Sequence, residues 1–577
     1  MTADGSDNAV TGLTAQSLMD FFNKKIESVR QSTGGTPVQS SLPAATMFLD
    51  TFQTYTPDEI GKIILSAPSK SCQLDPLPTY ILKEFLQELL PYITEMCNGS
   101  LEVGCLPLSQ RHAIVQPRLK KTTADPDDVT SYRPISNLTF MSKIMEKLVC
   151  RQITGFLEKN GLLPKMQSAY RRYHSTETAV LKIVSDILCA ADRGDATFLC
   201  LLDMSAAFDT VDHDILVERL EKAFGLRGQV LEWIKSFLLT RTQTVMLNGK
   251  QSSSSELLCG VPQGSVLGPI LFLLYTADIM EIANRHDLSA HSYADDTQLK
   301  FHAKPKDCLQ RLLSLEACVK EISEWMSSNR LKINTDKTQF IWLGTHQQLA
   351  KINCPTITLA GNVINHSADV TVLGVVLDPE MTFATHIRRL AGRCFYQLRQ
   401  LRSVRSALTL DASKKVVHAF VSSRVDYCNS VFSHVRAKHL RPLQSVLNAA
   451  ARVISRRQKY DHITDVVRDQ LHWLPVTERI EYKLCSLVYK CLHQSGPLYL
   501  SEMCNFVSDV PGRRHLRSAA HSDLVEWRTL TSTYGPRSFA ACGPKTWNRL
   551  PLTVRDHSLS VGQFSRYLKT ELFKRAY

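Results

Sequence analysis

The sequence predicts an α+β protein: a sheet with helices packed on one side, followed by a mainly helical, basic C-terminal region. Three observations carry that expectation. The segment DATFLCLLD has an unbroken apolar run at residues 198–202, as a buried strand would, and DHDILVERLEKAF soon after it has the spacing of an amphipathic helix. TVMLNGKQSSSSELLCG and HSYADDTQLKF each read as strand pairs joined by turn residues. Beyond Pro379, ATHIRRLAGRCFYQLRQLRSVR and HLRPLQSVLNAAARVISRR are apolar on one helical face and rich in arginine on the other.

The remaining elements follow in order. Residues 1–45 form an N-terminal segment, with a short amphipathic stretch, LMDFFNKKIESV, and a SerThrGlyGlyThrPro linker. Residues 46–110 read as a helical region, for example YILKEFLQELLPYITEMC. From Arg111, RHAIVQPRLKK predicts a strand leading into a basic turn, and TTADPDDVTSYRPIS has the Asp, Pro and Ser density of a loop. LTFMSKIMEKLVCRQITGFLEK places Met141, Ile144, Met145, Leu148 and Phe156 on one helical face. Asp212 or Asp214 is positioned to cap the helix that follows.

A chain of 577 residues is long enough for about three or four domains. With 44% apolar and 21% charged residues it can bury large cores. Its 16 cysteines include no C-x-x-C spacing, which argues against a zinc ribbon and for reduced thiols in an intracellular protein. The start, MTADGSDNAV, has no basic and apolar leader pattern. The most apolar run, residues 266–275, contains Gly268 and Pro269 and falls far short of the ~20 residues of a membrane span, so no membrane partner is expected. The net charge of +13 is unevenly distributed: residues 381–577 hold 32 Lys and Arg against 13 Asp and Glu, and the rest hold 36 against 42. A basic third beside a mildly acidic body points to a polyanion, with nucleic acid the leading partner.

The chemistry concentrates in three places. In HSYADDTQL, Asp295 and Asp296 sit side by side, an arrangement that repels itself unless water, a proton or a cation relieves it. Asp203 directly follows the apolar strand, where an unpaired charge at the edge of a core is costly. Taken singly, these read as a solvated turn and a helix cap. Carboxylates converging from separate strand ends are what a two-metal site needs, since magnesium prefers hard oxygen ligands. Between them, LCGVPQGSVLGPILFLLY holds Gly260, Gly264 and Gly268, a turn into an apolar helix whose glycines allow close backbone approach.

The series YRPISNL, LLDMSAAFDTVDHDIL, GVPQGSVLGPILF, SYADDTQL, LKINTDKTQFIWLG and VTVLGVVLD, in that order, resembles the reverse transcriptase of non-LTR, LINE-type retrotransposons of the jockey-like and chicken-repeat kind. The likeness continues in VDYCNSVF, LHWLPVTERIEYKL and FAACGPKTWNRLP. It implies a right-hand polymerase fold of fingers, palm and thumb: fingers and palm at residues 111–380, a thumb-like helical region at 381–460, and a basic C-terminal region at 461–577. The implied reaction extends a DNA primer 3′ hydroxyl on an RNA template with deoxynucleoside triphosphates, using magnesium, with manganese as the substitute. Carried over by position, Asp203, Asp295 and Asp296 are the metal ligands, and Phe208 excludes a ribose 2′ hydroxyl. Gln263 and Gly264 contact nucleotide and template, and Lys337 protonates the leaving pyrophosphate. Arg133, Arg118, Lys120 and Lys121 belong to the fingers and bind phosphates, and Leu373 and Gly374 form the primer grip.

This chain departs from the family pattern at QSAYRRYHSTETAV, where Tyr173 stands in place of the usual flexible glycine. The 110 residues before the fingers are too few for the N-terminal endonuclease these elements normally carry, so that function is expected to come from elsewhere or to be lost. The integration route of the family implies action in the nucleus. Two other polymerases share the carboxylate logic. Phe208 argues against an RNA-dependent RNA polymerase, and the LHWLPVTERI region argues against a group II intron maturase. The alternative from another class is a catalytically inactive, transposon-derived protein that binds nucleic acid through its basic third.

Overall fold

The computed structural model describes residues 12–34, 40–353, 356–359, 361–512 and 521–577. The leader reading at residues 1–10 and part of the predicted linker at 32–37 lie outside them. Thirteen strands run through the described residues: β1 His112–Leu119, β2 Tyr132–Asn137, β3 Ala196–Leu202, β4 Thr242–Leu247, β5 Lys250–Gln251, β6 Ser255–Glu256, β7 Ser289–Tyr293, β8 Asp296–Ala303, β9 Gln339–Leu343, β10 Thr356–Leu359, β11 Asn362–Asn365, β12 Val370–Val372 and β13 Val375–Leu377. The chain divides into two compact units. One comprises Met1–Gln167, Asp203–His286 and Ala317–Asp336; the other comprises Ser168–Leu202, Asp287–Glu316 and Lys337–Tyr577.

The first unit is built on a mixed sheet in the order β2-β1-β4-β5, with β6 also on β4. β1 runs antiparallel to β2 and parallel to β4. The segment YRPIS, which reads as loop, is therefore part of strand β2. Its register explains how the proline is tolerated: Pro134 faces Pro117 on a rung where the backbone N–H groups point away from the partner strand, and β2 is an edge strand. The helix Ala15–Ser32 starts with a capping box between Thr14 and Ser17. It lays Leu18, Met19 and Phe22 against Val115, Tyr132 and Val245 of the sheet. Each such buried side chain stabilises by about 1.5–3 kcal/mol.

The stretch expected as one helix near residue 80 is two, Thr79–Glu84 and Leu86–Val103, broken at Phe85. The helix Phe140–Lys159 buries Ile144, Met145 and Leu148 as expected, but continues the face with Ile153 and Leu157, while Met141 and Phe156 are only half-buried. Asp212, not Asp214, caps the helix His213–Lys222, accepting from the backbone N–H of Asp214 and Ile215. The helix Gly268–Tyr275 is apolar around nearly its whole circumference and is accordingly buried.

The second unit holds an antiparallel sheet in the order β7-β8-β3-β9. Phe198 in β3 lies opposite Phe301 in β8 and Trp342 in β9. Its ring stacks on Phe301 and Phe340 at 5.3 Å each and meets Trp342 edge-on at 5.0 Å. Aromatic pairs of this kind contribute ~0.5–1.5 kcal/mol each beyond their burial. On the same sheet Lys300 is 1% exposed and pairs with Asp186 of the helix Thr176–Asp192, which also bonds Lys182 at 2.7 Å.

The basic helices Ala384–Val404 and Ala437–Ser455 belong to this unit. The Arg405 guanidinium donates to the carbonyls of Val453 and Ile454 at 3.0 and 2.7 Å, satisfying the end of the second helix. Arg388, Arg389, Arg393, Arg399 and Arg402 stay exposed. Among the described residues, no helix is long and apolar enough to cross a membrane.

Burial alone would raise the Asp186 carboxyl, but the charges of Lys300 and Lys182 outweigh it and hold the pKa down to about 2. A depressed carboxylate contributes stability that is present above its ordinary pKa and is lost as the pH falls toward the folded value. Wild-type protein should therefore lose stability from this pair as the pH drops from about 4 to about 2. Lys300→Met leaves Asp186 with one cation and should cost ~3–5 kcal/mol at neutral pH, measured by denaturant titration.

Candidate active site

In the second unit, β7 and β8 form a hairpin whose last rung is Tyr293 opposite Asp296. Ala294, at φ 57°, and Asp295 make the turn, so the two carboxylates lie at its tip and on its first outgoing residue. The β3–β8 ladder ends with Leu202 opposite Thr297. Asp203 directly follows Leu202 in the chain and is the first residue of the segment Asp203–His286 of the first unit.

That hairpin is buttressed by polar contacts from distant sequence. Ser168 donates its backbone N–H to the Ser292 carbonyl at 2.9 Å. Its hydroxyl bonds both His291 Nε2 and the Tyr499 hydroxyl, each at 2.9 Å. Burial pushes the His291 imidazole down to about 3, so it is neutral at physiological pH. Ser168, His291 and Tyr499 were not singled out from the sequence. A histidine inside a strand was the only local signal.

Tyr173 adopts φ 67°, the left-handed conformation that glycine takes at little cost, with the Arg172 guanidinium 4.6 Å from its ring centre. Tyr173 thus stands where the backbone conformation favours glycine. Leu373 and Gly374, at φ 46° and 83°, form the turn between β12 and β13, and the Tyr427 hydroxyl donates to the Leu373 carbonyl at 2.7 Å. Lys337 is exposed on the segment leading into β9.

In the first unit, the GVPQGS loop is clamped from two sides. Gly260 and Val261 donate to the carbonyls of Val211 and Phe208 at 2.7 and 2.8 Å, and the Gln263 carbonyl accepts from Ser136 of β2 at 2.7 Å. Gly264 has φ 119°, and a Cβ there would lie 2.6 Å from the Ser136 carbonyl oxygen. Phe208 stacks on Phe272 at 4.4 Å, which fixes its ring beside the loop. Beneath the loop, the fully buried Glu146 accepts from the backbone N–H of Val266 and Leu267 at 2.6 and 3.1 Å and from the Ser142 hydroxyl at 3.1 Å. Burial raises its pKa, opposed by those bonds and by Arg241. Glu146 therefore ties the helix Phe140–Lys159 to the start of the apolar helix, a role its position on an apolar face could have suggested.

A small cleft, lined in part by Phe22, Lys25, Tyr132, Ser136, Asp209 and Gln263, opens beside this loop. Asp209 keeps part of its surface open, but its carboxyl lies among protein atoms and accepts from Gln263 Nε2 at 2.7 Å. Desolvation pushes its pKa up to about 6, against the Gln263 bond and the charge of Lys25. On the same sheet Arg118 faces Arg133 across β1 and β2, and both are exposed, as are Lys120 and Lys121. Like charges directly opposite repel. An anion between them would relieve that cost.

Among the described residues, no group of three or more His, Cys, Asp or Glu side chains is gathered to hold a metal by itself. That is compatible with magnesium, which needs only one or two protein carboxylates when phosphates and water complete its shell. The donor set at the acidic turn is all hard oxygen, which fits that ion.

Residues 119–377 match the family described as Reverse transcriptase (RNA-dependent DNA polymerase). The acidic turn, the GVPQGS loop and Phe208 all lie inside that span. These residues form a reverse transcriptase domain. The RNA-directed DNA polymerase from mobile element jockey of Drosophila melanogaster is 27% identical over 442 residues, covering 75% of this chain and 46% of its own length. The probable RNA-directed DNA polymerase from transposon BS of the same species is 28% identical over 443 residues, covering 75% and 47%. The chain thus spans about half the length of these curated relatives. A solved telomerase from Candida albicans, with a fragment of telomeric RNA, overlaps 70% of this chain and 66% of its own at 14% identity and a TM-score of 0.33, too loose a match to support any inference.

The reverse transcriptase domain depends on the close approach at Gly264. Gly264→Ala should force the loop away from β2, break the Ser136–Gln263 bond and destabilise the protein by ~1–3 kcal/mol. A lowered melting temperature would register it, whereas a melting curve identical to wild type would show that the loop relaxes freely.

Proposed function

We propose that this chain is an RNA-directed DNA polymerase of a non-LTR retrotransposon, extending a DNA primer 3′ hydroxyl on an RNA template with deoxynucleoside triphosphates. The observation that carries the reading is the match of residues 119–377 to the reverse transcriptase family, a span that holds the acidic turn, the GVPQGS loop and Phe208. Asp203, Asp295 and Asp296 would hold divalent magnesium or manganese, which when bound would lower the pKa of the attacking hydroxyl and neutralise charge on the leaving pyrophosphate.

The chain's own groups do the rest. Phe208, its ring held by Phe272, closes the space a ribose 2′ hydroxyl would need. Gln263 and Gly264 present backbone and amide to the nucleotide and template. Arg133, with Arg118, Lys120 and Lys121, binds phosphates on the fingers, where fixed cations stabilise developing charge. Lys337 delivers a proton to the pyrophosphate. Leu373 and Gly374 hold the primer end in a turn fixed by Tyr427. The exposed arginines of the helix Ala384–Val404 grip the duplex backbone by displacing counterions. Integration places this activity in the nucleus.

The test is primer extension with an RNA template, a DNA primer, magnesium and either deoxy- or ribonucleotides. Wild type should incorporate deoxynucleotides only. Asp295→Asn should lose activity by at least about two orders of magnitude, the scale seen when charge stabilisation at a reacting centre is removed. Salt-sensitive RNA binding without incorporation by wild type would instead identify a nucleic-acid-binding protein.

A further inference from the structure

Asp209 is a carboxyl that neither the metal site nor the nucleotide contacts described above use. It lies six residues after Asp203 and one after Phe208, and its carboxyl accepts a hydrogen bond from the Gln263 amide at 2.7 Å. An amide has two unlike ends, and the carboxylate selects between them. An ionised carboxylate only accepts, so it takes the NH2 end and leaves the Gln263 oxygen facing away. A protonated carboxyl can donate, which lets the amide turn and present its NH2 group instead.

We propose that Asp209 is a positioning residue for the incoming nucleotide: by accepting the Gln263 N–H it fixes the Gln263 oxygen as a hydrogen-bond acceptor for a donor group on that nucleotide. The proposal rests on the polymerase reading above. It makes Asp209 a switch for the polarity of Gln263. Lys25 of the helix Ala15–Ser32 is the charge that acts on its carboxyl, Tyr132 of β2 lines the same cleft, and the Cys259 thiol donates to the Asp209 carbonyl. Lys25 opposes the desolvation that raises the Asp209 pKa to about 6. The ionised, acceptor-fixing form therefore dominates at neutral pH and is lost as the pH falls through that value. The N-terminal helix thereby enters the chemistry of the nucleotide site through one charge.

The experiment is single-nucleotide incorporation from pH 5.5 to 8, with KM and kcat separated, on wild type, Asp209→Asn and Lys25→Ala, each checked for an unchanged melting transition. Wild-type KM for the nucleotide should rise several-fold on the acid side while kcat changes less. Asp209→Asn should raise KM roughly 5- to 10-fold at neutral pH, the worth of about one hydrogen bond, and flatten its pH dependence. Lys25→Ala removes an opposing charge, so its acid limb should move to higher pH. A merely structural role for Asp209 would not produce that movement. Should Asp209→Asn fail to fold, the Lys25→Ala limb decides alone. An unmoved limb in Lys25→Ala, or a wild-type pH profile in folded Asp209→Asn, overturns the proposal while incorporation by wild type leaves the polymerase reading standing. No incorporation by wild type overturns both.

Discussion

The antiparallel ladder between β3 and β8 aligns the sheet of the second unit. Seven residue pairs, from Ala196 opposite Ala303 to Leu202 opposite Thr297, set where β3 ends relative to the acidic turn. Strand side chains alternate between faces, so a slip of one residue would turn Phe198 away from Phe301 and Lys300 away from Asp186. The aromatic stack and the buried ion pair therefore specify the register twice, once through apolar fit and once through charge. A charge pair buried in a core adds little net stability over a well-packed apolar pair, yet breaking it is costly. Its value here is to make one alignment of the strands far better than its neighbours.

The first unit solves a different problem, which is to hold an irregular loop still. GVPQGS has no regular ladder of its own. Its backbone groups are satisfied instead by Val211, Phe208 and Ser136, and its exit into the apolar helix is capped by a buried glutamate from another helix. Glycine at position 264 is required because a carbonyl occupies the space a Cβ would take. The loop is thereby held from both sides, with Phe208 stacked on Phe272 and the Gln263 amide bonded to Asp209.

Much of this was legible in the sequence because the signals were local. The strand at 196–202, both hairpins, the apolar helix after Pro269 and the basic helices beyond Pro379 follow from periodicity and turn residues, and the adjacent aspartates marked themselves by their mutual repulsion. What escaped was tertiary. Ser168 meets His291 across 123 residues and Tyr499 across 331, and no window of the sequence contains such a pair. Glu146 and Asp209 looked ordinary until the GVPQGS loop was seen to rest on them. Strand β2 was hidden by Pro134, which the ladder tolerates because its rung opposite Pro117 is one where the backbone N–H groups point away from the partner strand. Tyr173 could be flagged as a departure, but its left-handed backbone appears only in the structure.

The proposal that Asp203, Asp295 and Asp296 serve one cation can be tested on the intact chain. The most direct measurement substitutes ferrous iron for magnesium and maps the backbone cuts made by locally generated hydroxyl radicals. Two cuts are expected in the same molecules, near residue 203 and near residues 295–296, both suppressed by excess magnesium and both lost in Asp203→Asn. A cut at only one of these places, or a cut near 295 that persists in Asp203→Asn, would contradict it.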